Sequence, residues 1–253
     1  MLYSLPTLYK ATVVKRPSSI IKSPYVADIR LENGQQALCH TPSLGCCGLV
    51  EKDRTIYVCK GTPGSKTEYT AQLAECTDMC DIYYVGIHPL VSQKAASELL
   101  VEISSDAVWK SEVKVDEHTR IDYVGVLPSG KKMYVEVKSA VISNECHLPR
   151  NDRCAIFPEG YRKKKTDTVS PRAVKHAETL KQLLSNEDTE MCVLLFVVPR
   201  SDCERGVKIN SEDPIYHQAV KDAKDAGVLM RAFALNYSVD GSICKHSEVN
   251  VYC

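Results

Sequence analysis

The sequence lacks the features that would place it in a membrane or outside the cell. No apolar run approaches the roughly 18 residues that a transmembrane helix requires. The opening segment, MLYSLPTLYKATVVKR, does not have the basic-then-apolar order of a secretory signal peptide. We therefore expect an intracellular protein, cytoplasmic or nuclear, that is neither secreted nor held in a membrane.

The chain also has no excess charge of either sign. Its 253 residues include 32 Lys and Arg against 32 Asp and Glu, so bulk charge neither favours nor excludes a nucleic-acid partner. Only local clusters of charge can indicate one. The length allows one large domain or two smaller ones, and the composition is that of an ordinary globular protein.

Cysteine is abundant, with twelve residues, but its spacing argues against structural zinc. The sequence has no CxxC pair, and the nearest approach is Cys76 and Cys80. A zinc ribbon needs two closely spaced pairs, so free and buried thiols are the better expectation. The sequence also lacks a GxGxxG motif and a P-loop, which argues against a dedicated nucleotide site.

The hydrophobic pattern changes near His88 and Pro89, which predicts domains at 1–88 and 89–253. Residues 20–87 contain short strand-like runs separated by turn residues, a pattern typical of a small β-barrel or sandwich. From residue 92 onward the pattern predicts helix, three strands, helix, strand, helix and strand. This order indicates an α/β arrangement around a mixed sheet.

Local signals predict where the helices begin. Ser92 is expected to cap the first helix, while Ser170 and Asp213, each followed by proline, are expected to cap the second and third. Residues 144–170 are polar and basic and predict a long loop. The run MCVLLFVVPR is typical of a strand covered on both faces.

The segment YVEVKSA, residues 134–140, raises the question of function. Side chains alternate along a strand, so Glu136 and Lys138 share one face of an otherwise apolar strand. A turn centred on Ser129 would join this strand to RIDYVGV and place Asp122 opposite Glu136. Directly opposite residues have Cβ atoms about 4.5–5.5 Å apart.

Two neighbouring carboxylates destabilise a strand pair unless a cation compensates them. Mg²⁺ is commonly held by one or two carboxylates together with substrate phosphate, so the pattern points to a metal site. Two alternatives remain open. Acid–x–lysine is also an ordinary ion pair on a solvated strand, and a register change of one residue would move Asp122 to the opposite face.

The combination of Asp122, thirteen residues, and Glu136-Val137-Lys138 resembles the PD-(D/E)xK signature of restriction-endonuclease-like nucleases. Four longer segments resemble the sugar fermentation stimulation protein A family: RIDYV…YVEVKSAVI, AIFPEGYRKKKTDTVSPRAVKHAETLKQLL, VLLFVVPRSD and DPIYHQAVKDAKDAGVLMRAFAL. The chain departs from the family at residues 43–46 and 88–90, in the N-terminal part and at its junction.

The resemblance implies a mixed α+β protein, with an N-terminal OB-like β-barrel followed by an α/β restriction-endonuclease-like domain around a mixed central sheet. It also implies DNA binding and a link to the regulation of sugar utilisation. If the chain is a nuclease, Asp122 and Glu136 would hold Mg²⁺ or Mn²⁺, with the carbonyl of Val137 as a third ligand. Lys138 would stabilise developing charge or orient the attacking water. Glu98 and Glu112 are weaker candidates for a further carboxylate.

One dense basic cluster lies between the hairpin and the second predicted helix, where it could contact a DNA backbone. Its members are Arg162, Lys163, Lys164, Lys165, Arg172, Lys175 and His176. In the N-terminal part, Arg30 and Tyr69 are candidates because OB folds bind strands through basic grooves and stacking aromatics. For each of these residues, an ordinary surface or core role is the alternative.

Three functions therefore remain open at the sequence level. The first is a DNA-binding protein with a divalent-metal-dependent nuclease site. The second is a regulator that binds DNA without cutting it and uses the site only for metal or phosphate. The third, a module for a small effector, has no supporting motif. A homodimer is compatible with each of the three.

Overall fold

The computed structural model describes residues 1–43, 45–78, 81–117, 119–160, 162, 164 and 166–253. Within these ranges the strands are β1 (Tyr3–Ser4), β2 (Tyr9–Lys15), β3 (Val26–Leu31), β4 (Gln36–His40), β5 (Thr55–Lys60), β6 (Tyr69–Thr77), β7 (Ile82–Gly86), β8 (Val108–Lys114), β9 (Arg120–Val126), β10 (Lys132–Ser139), β11 (Cys154–Phe157), β12 (Thr189–Val198), β13 (Gly206–Ile209), β14 (Leu229–Tyr237) and β15 (Ser242–Tyr252). The α-helices are α1 (Pro89–Leu99), α2 (Pro171–Leu184) and α3 (Pro214–Asp225). None of the helices in these ranges has the length and apolarity needed to cross a membrane.

The N-terminal strands form an OB-like sheet that closes only partly. β2, β3 and β4 pair as an antiparallel meander, β4 pairs in parallel with β6, and β5 joins β6 back to β2. The β4–β6 contact spans only the pairs Cys39–Tyr69 and His40–Thr70, so the ring is partly open, as in an OB fold. Its interior is filled by buried aliphatic side chains, among them Val13, Ile29 and Ile56.

The second sheet is mixed and has the strand order β11-β13-β15-β14-β12-β10-β9-β8. β10, β12 and β14 run parallel to one another, whereas β8, β9 and β10 are antiparallel neighbours. The short β1 pairs with β15, so Tyr3–Ser4 belong to this sheet. The division of the chain into domains at 1–88 and 89–253 stays a prediction.

Helices cover both faces of the second sheet, and β12 shows this most clearly. Leu194 and Phe196 pack in a core with α2 and α3, whereas Val193 and Leu195 pack with α1 on the opposite face. All four side chains are fully buried, as expected for a continuous apolar strand with parallel neighbours. The OB-like sheet joins the α1 side, where Tyr57 belongs to the same core.

The mixed architecture and two of the three helix caps agree with the sequence predictions. Ser170 accepts a hydrogen bond from the backbone N–H of Ala173, and Asp213 accepts one from Tyr216. The prediction for Ser92 was wrong. The first helix begins at Pro89, because proline is well suited to the first helical position, and Ser92 is buried within the first turn.

Three strands after residue 92, β11, β13 and β15, were missing from the sequence prediction, as were β1 and β2 before residue 20. β11 and β13 are only four residues long, and β11 lies inside the segment predicted to be a loop. Runs this short do not show a periodicity that distinguishes a strand from a loop. β15 lies next to β14, and its segment SICKHSEVNVY has Ile243 as its one buried residue and polar side chains at 245–248.

Asp213 should contribute more to stability than an ordinary cap. It is fully buried and accepts hydrogen bonds from Thr168 Oγ1 at 2.8 Å, Val169 N at 2.7 Å and Tyr216 N at 3.1 Å. We expect Asp213→Ala to lower the free energy of unfolding by about 2–4 kcal/mol, because it removes a cap and leaves buried donors unpaired.

Urea unfolding at pH 7 measures this loss. Ser170→Ala is the control, since it removes a single capping bond and should cost about 1 kcal/mol. An equal loss in the two variants would contradict the structural role assigned to Asp213.

Candidate metal centre and nucleic-acid interface

The hairpin formed by β9 and β10 has the register predicted from its turn. Lys132 pairs with Val126, and the ladder continues to the pair Val135–Tyr123. Gly130 in the turn has a φ of 84°, a left-handed conformation that glycine adopts without strain. In this register, Asp122 and Glu136 lie opposite each other, one position beyond the last pair of the ladder.

The Asp122 side chain closes this end of the ladder. Its Oδ2 accepts a hydrogen bond of 2.7 Å from the backbone N–H of Val137. In a strand the N–H and C=O of one residue point to the same side. The carbonyl of Val137 is therefore directed toward β9, the strand that carries Asp122.

A cleft of about 200 Å³ opens at this point between the hairpin, the start of α1 and the start of α2. The hairpin contributes Asp122 and residues 136–139, α1 contributes Pro89, Leu90, Ser92 and Gln93, and α2 contributes Arg172 and His176. The structure thus brings together the three residues of the predicted catalytic motif, and adds side chains from two helices.

Glu136 is held by two nitrogen donors. Lys138 Nζ donates to its Oε1 at 2.6 Å, and His176 Nδ1 contacts the same oxygen. Arg172, one turn before His176 on α2, donates from Nε to His176 Nε2 at 3.3 Å. Lys138 Nζ also lies 3.1 Å from His176 Nδ1, so Glu136, Lys138 and His176 form one cluster of mutual contacts.

The two carboxyl groups have opposite pKa shifts. Burial and, to a smaller extent, the charge of Glu136 raise the pKa of Asp122 to about 6, and the hydrogen bond from Val137 N offsets only part of this rise. For Glu136, burial also acts to raise the pKa, but the contacts with His176 and Lys138 outweigh it and the pKa is lowered. At neutral pH both groups are ionised, and Asp122 is the one that a fall in pH protonates first.

The donor set fits a hard divalent cation. Glu136 is 1% exposed, and its second oxygen, Oε2, has no hydrogen-bond partner among the described residues. A buried carboxylate oxygen without a partner is costly. Carboxylate and carbonyl oxygens suit Mg²⁺ and Mn²⁺.

Side chains alone do not complete such a site. In the part of the chain that the structure describes, no group of three or more His, Cys, Asp and Glu residues could hold a metal ion. Two carboxylates and the Val137 carbonyl would leave positions for water and substrate oxygens, which is the usual way in which Mg²⁺ is bound.

The predicted basic cluster divides into four groups. Arg172, Lys175 and Lys164 are exposed, as a DNA contact requires. Arg162 is half-buried and donates to the carbonyl of Glu212. Lys163 and Lys165 lie outside the described residues. His176 differs from the rest, because it is only 5% exposed and faces Glu136 instead of solvent.

The two candidates in the OB-like sheet have different positions. Arg30 is exposed on β3 and stays a candidate. Tyr69 is not placed to stack on a base, which corrects the prediction. Its side chain is 9% exposed, belongs to the core of the ring and packs edge-to-face on Tyr9 at a centroid distance of 5.8 Å.

Sequence reasoning missed the role of Gln93. Its Nε2 donates to Asp122 Oδ1 at 3.1 Å and to Glu112 Oε1 at 2.8 Å. No pattern in the sequence links a glutamine on one helix to a carboxylate 29 residues later. His176 was predicted as a DNA contact, and its contact with Glu136 was missed, although it lies four residues after Arg172 on a predicted helix.

Comparison with known proteins identifies the family. The family model described as "Sugar fermentation stimulation protein RE domain" matches residues 87–241. The chain belongs to this family. A relative in Alteromonas mediterranea, a sugar fermentation stimulation protein homolog, is 30% identical over 239 residues, which cover 90% of each chain. The homolog in Caulobacter vibrioides is 29% identical over 213 residues, covering 83% of this chain and 82% of the relative.

A solved structure shares the fold. The structure of Pyrococcus furiosus SfsA in complex with Ca²⁺ aligns with a TM-score of 0.77 and covers 100% of this chain and 99% of that one. The sequences are 22% identical, so the likeness supports the family's fold. The mixed α+β fold and the family predicted from the sequence are confirmed.

The raised pKa of Asp122 makes folding stability depend on pH. The folded protein holds this proton more tightly than the unfolded chain, in which an aspartate has a pKa of about 3.9. The stability contributed by the protonated form is present in full below about pH 4 and is lost as the pH rises through about 6. An amide at this position cannot ionise, so the stability of Asp122→Asn relative to the wild type should increase by about 1–3 kcal/mol between pH 4 and pH 7.

Urea unfolding with EDTA present measures this difference across the pH range. Asp106→Asn, in an exposed loop, is the control and should follow the wild type at every pH. A difference between Asp122→Asn and wild type that stays constant from pH 4 to pH 7 would show that Asp122 has an ordinary pKa.

Proposed function

We propose that this protein binds DNA and hydrolyses phosphodiester bonds with the help of a divalent metal ion, Mg²⁺ or Mn²⁺. Asp122, Glu136 and the carbonyl of Val137 would hold the ion. The observation that supports this most strongly is the unpartnered Oε2 of Glu136, buried beside Asp122 at the wall of an open cleft. The Pyrococcus furiosus relative was solved in complex with Ca²⁺, which also favours a divalent ion.

The residues around the cleft match the needs of phosphodiester hydrolysis. When bound, the ion would supply Lewis-acid polarisation of a phosphate oxygen. Lys138 presents an ammonium at 2.6 Å from Glu136, where it can stabilise charge on a phosphoryl oxygen or orient a water molecule. His176 and Val137 N hold the two carboxylates in place, and this limits their reorganisation during the reaction.

The exposed cations of α2 would position the DNA. Arg172 lines the cleft and Lys175 follows three residues later, while Lys164 lies in the segment that leads to the helix. Contacts of this kind bind phosphates and do not read sequence. We propose that DNA binding is also the link between the family's name and sugar utilisation.

Nuclease activity predicts metal-dependent cleavage. Purified protein with Mn²⁺ should nick supercoiled DNA, and Asp122→Asn and Glu136→Gln should each lower the rate at least about 100-fold, because each removes a charge that holds the ion. Gel electrophoresis of a plasmid over time measures the rate. Glu98→Gln is the matched control, since Glu98 is an exposed acid on α1 outside the cleft.

A wild-type rate no higher than that of Asp122→Asn would remove the enzymatic claim and favour the second function. In that function the protein binds DNA without cutting it, and the site takes only metal or phosphate. One observation favours it: Oε1 of Glu136 is already engaged by both Lys138 and His176.

Both functions predict that the basic residues bind phosphate. Lys164→Ala and Lys175→Ala should each weaken DNA binding at low salt and reduce the slope of log K against log salt by about 1, because each removes one phosphate contact. Fluorescence anisotropy with EDTA present measures the slope. Lys221→Ala, an exposed lysine on α3, should keep the wild-type slope, and unchanged slopes in the first two variants would place the DNA elsewhere.

A further inference from the structure

One amide group lies between two carboxylates at the outer side of the cleft. Gln93 Nε2 donates to Glu112 Oε1 at 2.8 Å and to Asp122 Oδ1 at 3.1 Å. The backbone carbonyl of Gln93 accepts a hydrogen bond of 2.8 Å from the hydroxyl of Tyr123. That bond fixes this turn of α1 against β9. The backbone of Gln93, and with it the side-chain amide, is therefore held close to Asp122.

Glu112 lies opposite Asp122 in the register of β8 and β9. Ser111 pairs with Tyr123 and Val113 with Ile121, so Glu112 and Asp122 each stand between these two pairs. The φ of Glu112, 53°, lies in the left-handed region, which is unfavourable for a residue with a side chain. The two carboxylates therefore lie close together, and the Gln93 amide donates to both.

The two oxygens of Asp122 consequently face different neighbours. Oδ2 is bonded to Val137 N on the side of Glu136, and Oδ1 is directed to Gln93 and Glu112. A carboxylate with a further acid on each side has oxygens for two metal ions, which lie about 3.5–4 Å apart in two-metal sites. In this protein the uncharged amide of Gln93 occupies the position of the second ion, between Asp122 and Glu112.

We infer that Gln93 limits this centre to one divalent ion, because its amide nitrogen occupies the position between Glu112 and Asp122 that a second ion would take. The inference rests on the proposed metal-dependent function. The amide satisfies one oxygen of each acid without adding charge. A carboxylate at the same position would place three acids around one point, and only a cation could then hold them together.

Counting the ions bound by the full chain tests this inference. Mn²⁺ is titrated calorimetrically at pH 7.5, with free Mn²⁺ followed by electron paramagnetic resonance. The wild type should bind one ion per chain, and Gln93→Glu should bind two. The second ion should be lost again when Glu112→Gln is combined with Gln93→Glu. Gln218→Glu is the matched control, because Gln218 also donates to an aspartate, Asp222 Oδ1 at 2.6 Å, but on exposed α3; it should bind one ion.

A metal-free measurement gives a second readout. Without metal, Gln93→Glu should melt at a lower temperature than the wild type, because three acids then repel one another, and Mn²⁺ should raise its melting temperature more than that of the wild type. Gln218→Glu should show neither effect. Gln93→Ala opens the same position without adding charge, and it should take a second ion at millimolar Mn²⁺. If Gln93→Glu does not fold, Gln93→Ala still tests the inference.

The outcomes separate this inference from the proposed function. A wild-type protein that binds two ions, or a folded Gln93→Glu variant that binds one ion with wild-type affinity, overturns the inference and leaves the metal-dependent function standing. A Gln93→Ala variant that binds only one Mn²⁺ ion at saturation also overturns the inference. A wild-type protein that binds no Mn²⁺ overturns both.

Discussion

The approach of Asp122 to Glu136 across β9 and β10 is the constraint on which the rest of the site depends. A turn with glycine at residue 130 fixes the register, and the register brings two acids together where the ladder ends. Each acid is compensated in a different way. Glu136 receives two side-chain donors and has a lowered pKa, whereas Asp122 receives a backbone N–H and an amide, and its pKa is raised to about 6. A cation between them would remove this asymmetry.

The supporting elements of the site are rigid parts of the fold. β10 pairs with β12, which is buried on both faces, and the helix that presents Arg172 and His176 is capped by Ser170 and packed against the same sheet. Functional groups on helices and central strands keep their geometry better than groups on loops. The family's fold persists at 22% identity to the Pyrococcus furiosus structure, as expected when such packing conserves the architecture.

The sequence predicted those parts of the structure that depend on local chemistry. The hairpin register follows from a Pro-Ser-Gly turn, and the caps at Ser170 and Asp213 follow from a polar residue before a proline. Features that depend on tertiary contacts were missed. The burial of Tyr69 and the bond from Gln93 to Asp122 arise because distant segments pack together, and neither leaves a periodic signal in the sequence.

The remaining differences between the sequence prediction and the structure come from short strands and from tertiary context. Four residues of β11 or β13 are too few to define a pattern, and their strand conformation comes from pairing with each other and with β15. Ser92 has the chemistry of a cap, but a proline three residues earlier starts the helix first. His176 has the chemistry of a surface cation, but the helix presents it to a buried carboxylate.

The pairing of β1 with β15 makes the OB-like ring an excursion from the larger sheet. The chain lies in that sheet at Tyr3–Ser4, leaves it to form the ring, and returns to it through α1. Ion pairs from Arg150 and Arg153 to Asp78, between β6 and β7, connect the ring to the larger domain near the point where the chain returns. An element tethered at both ends has little freedom to swing, so the ring and the larger sheet keep a fixed relative position.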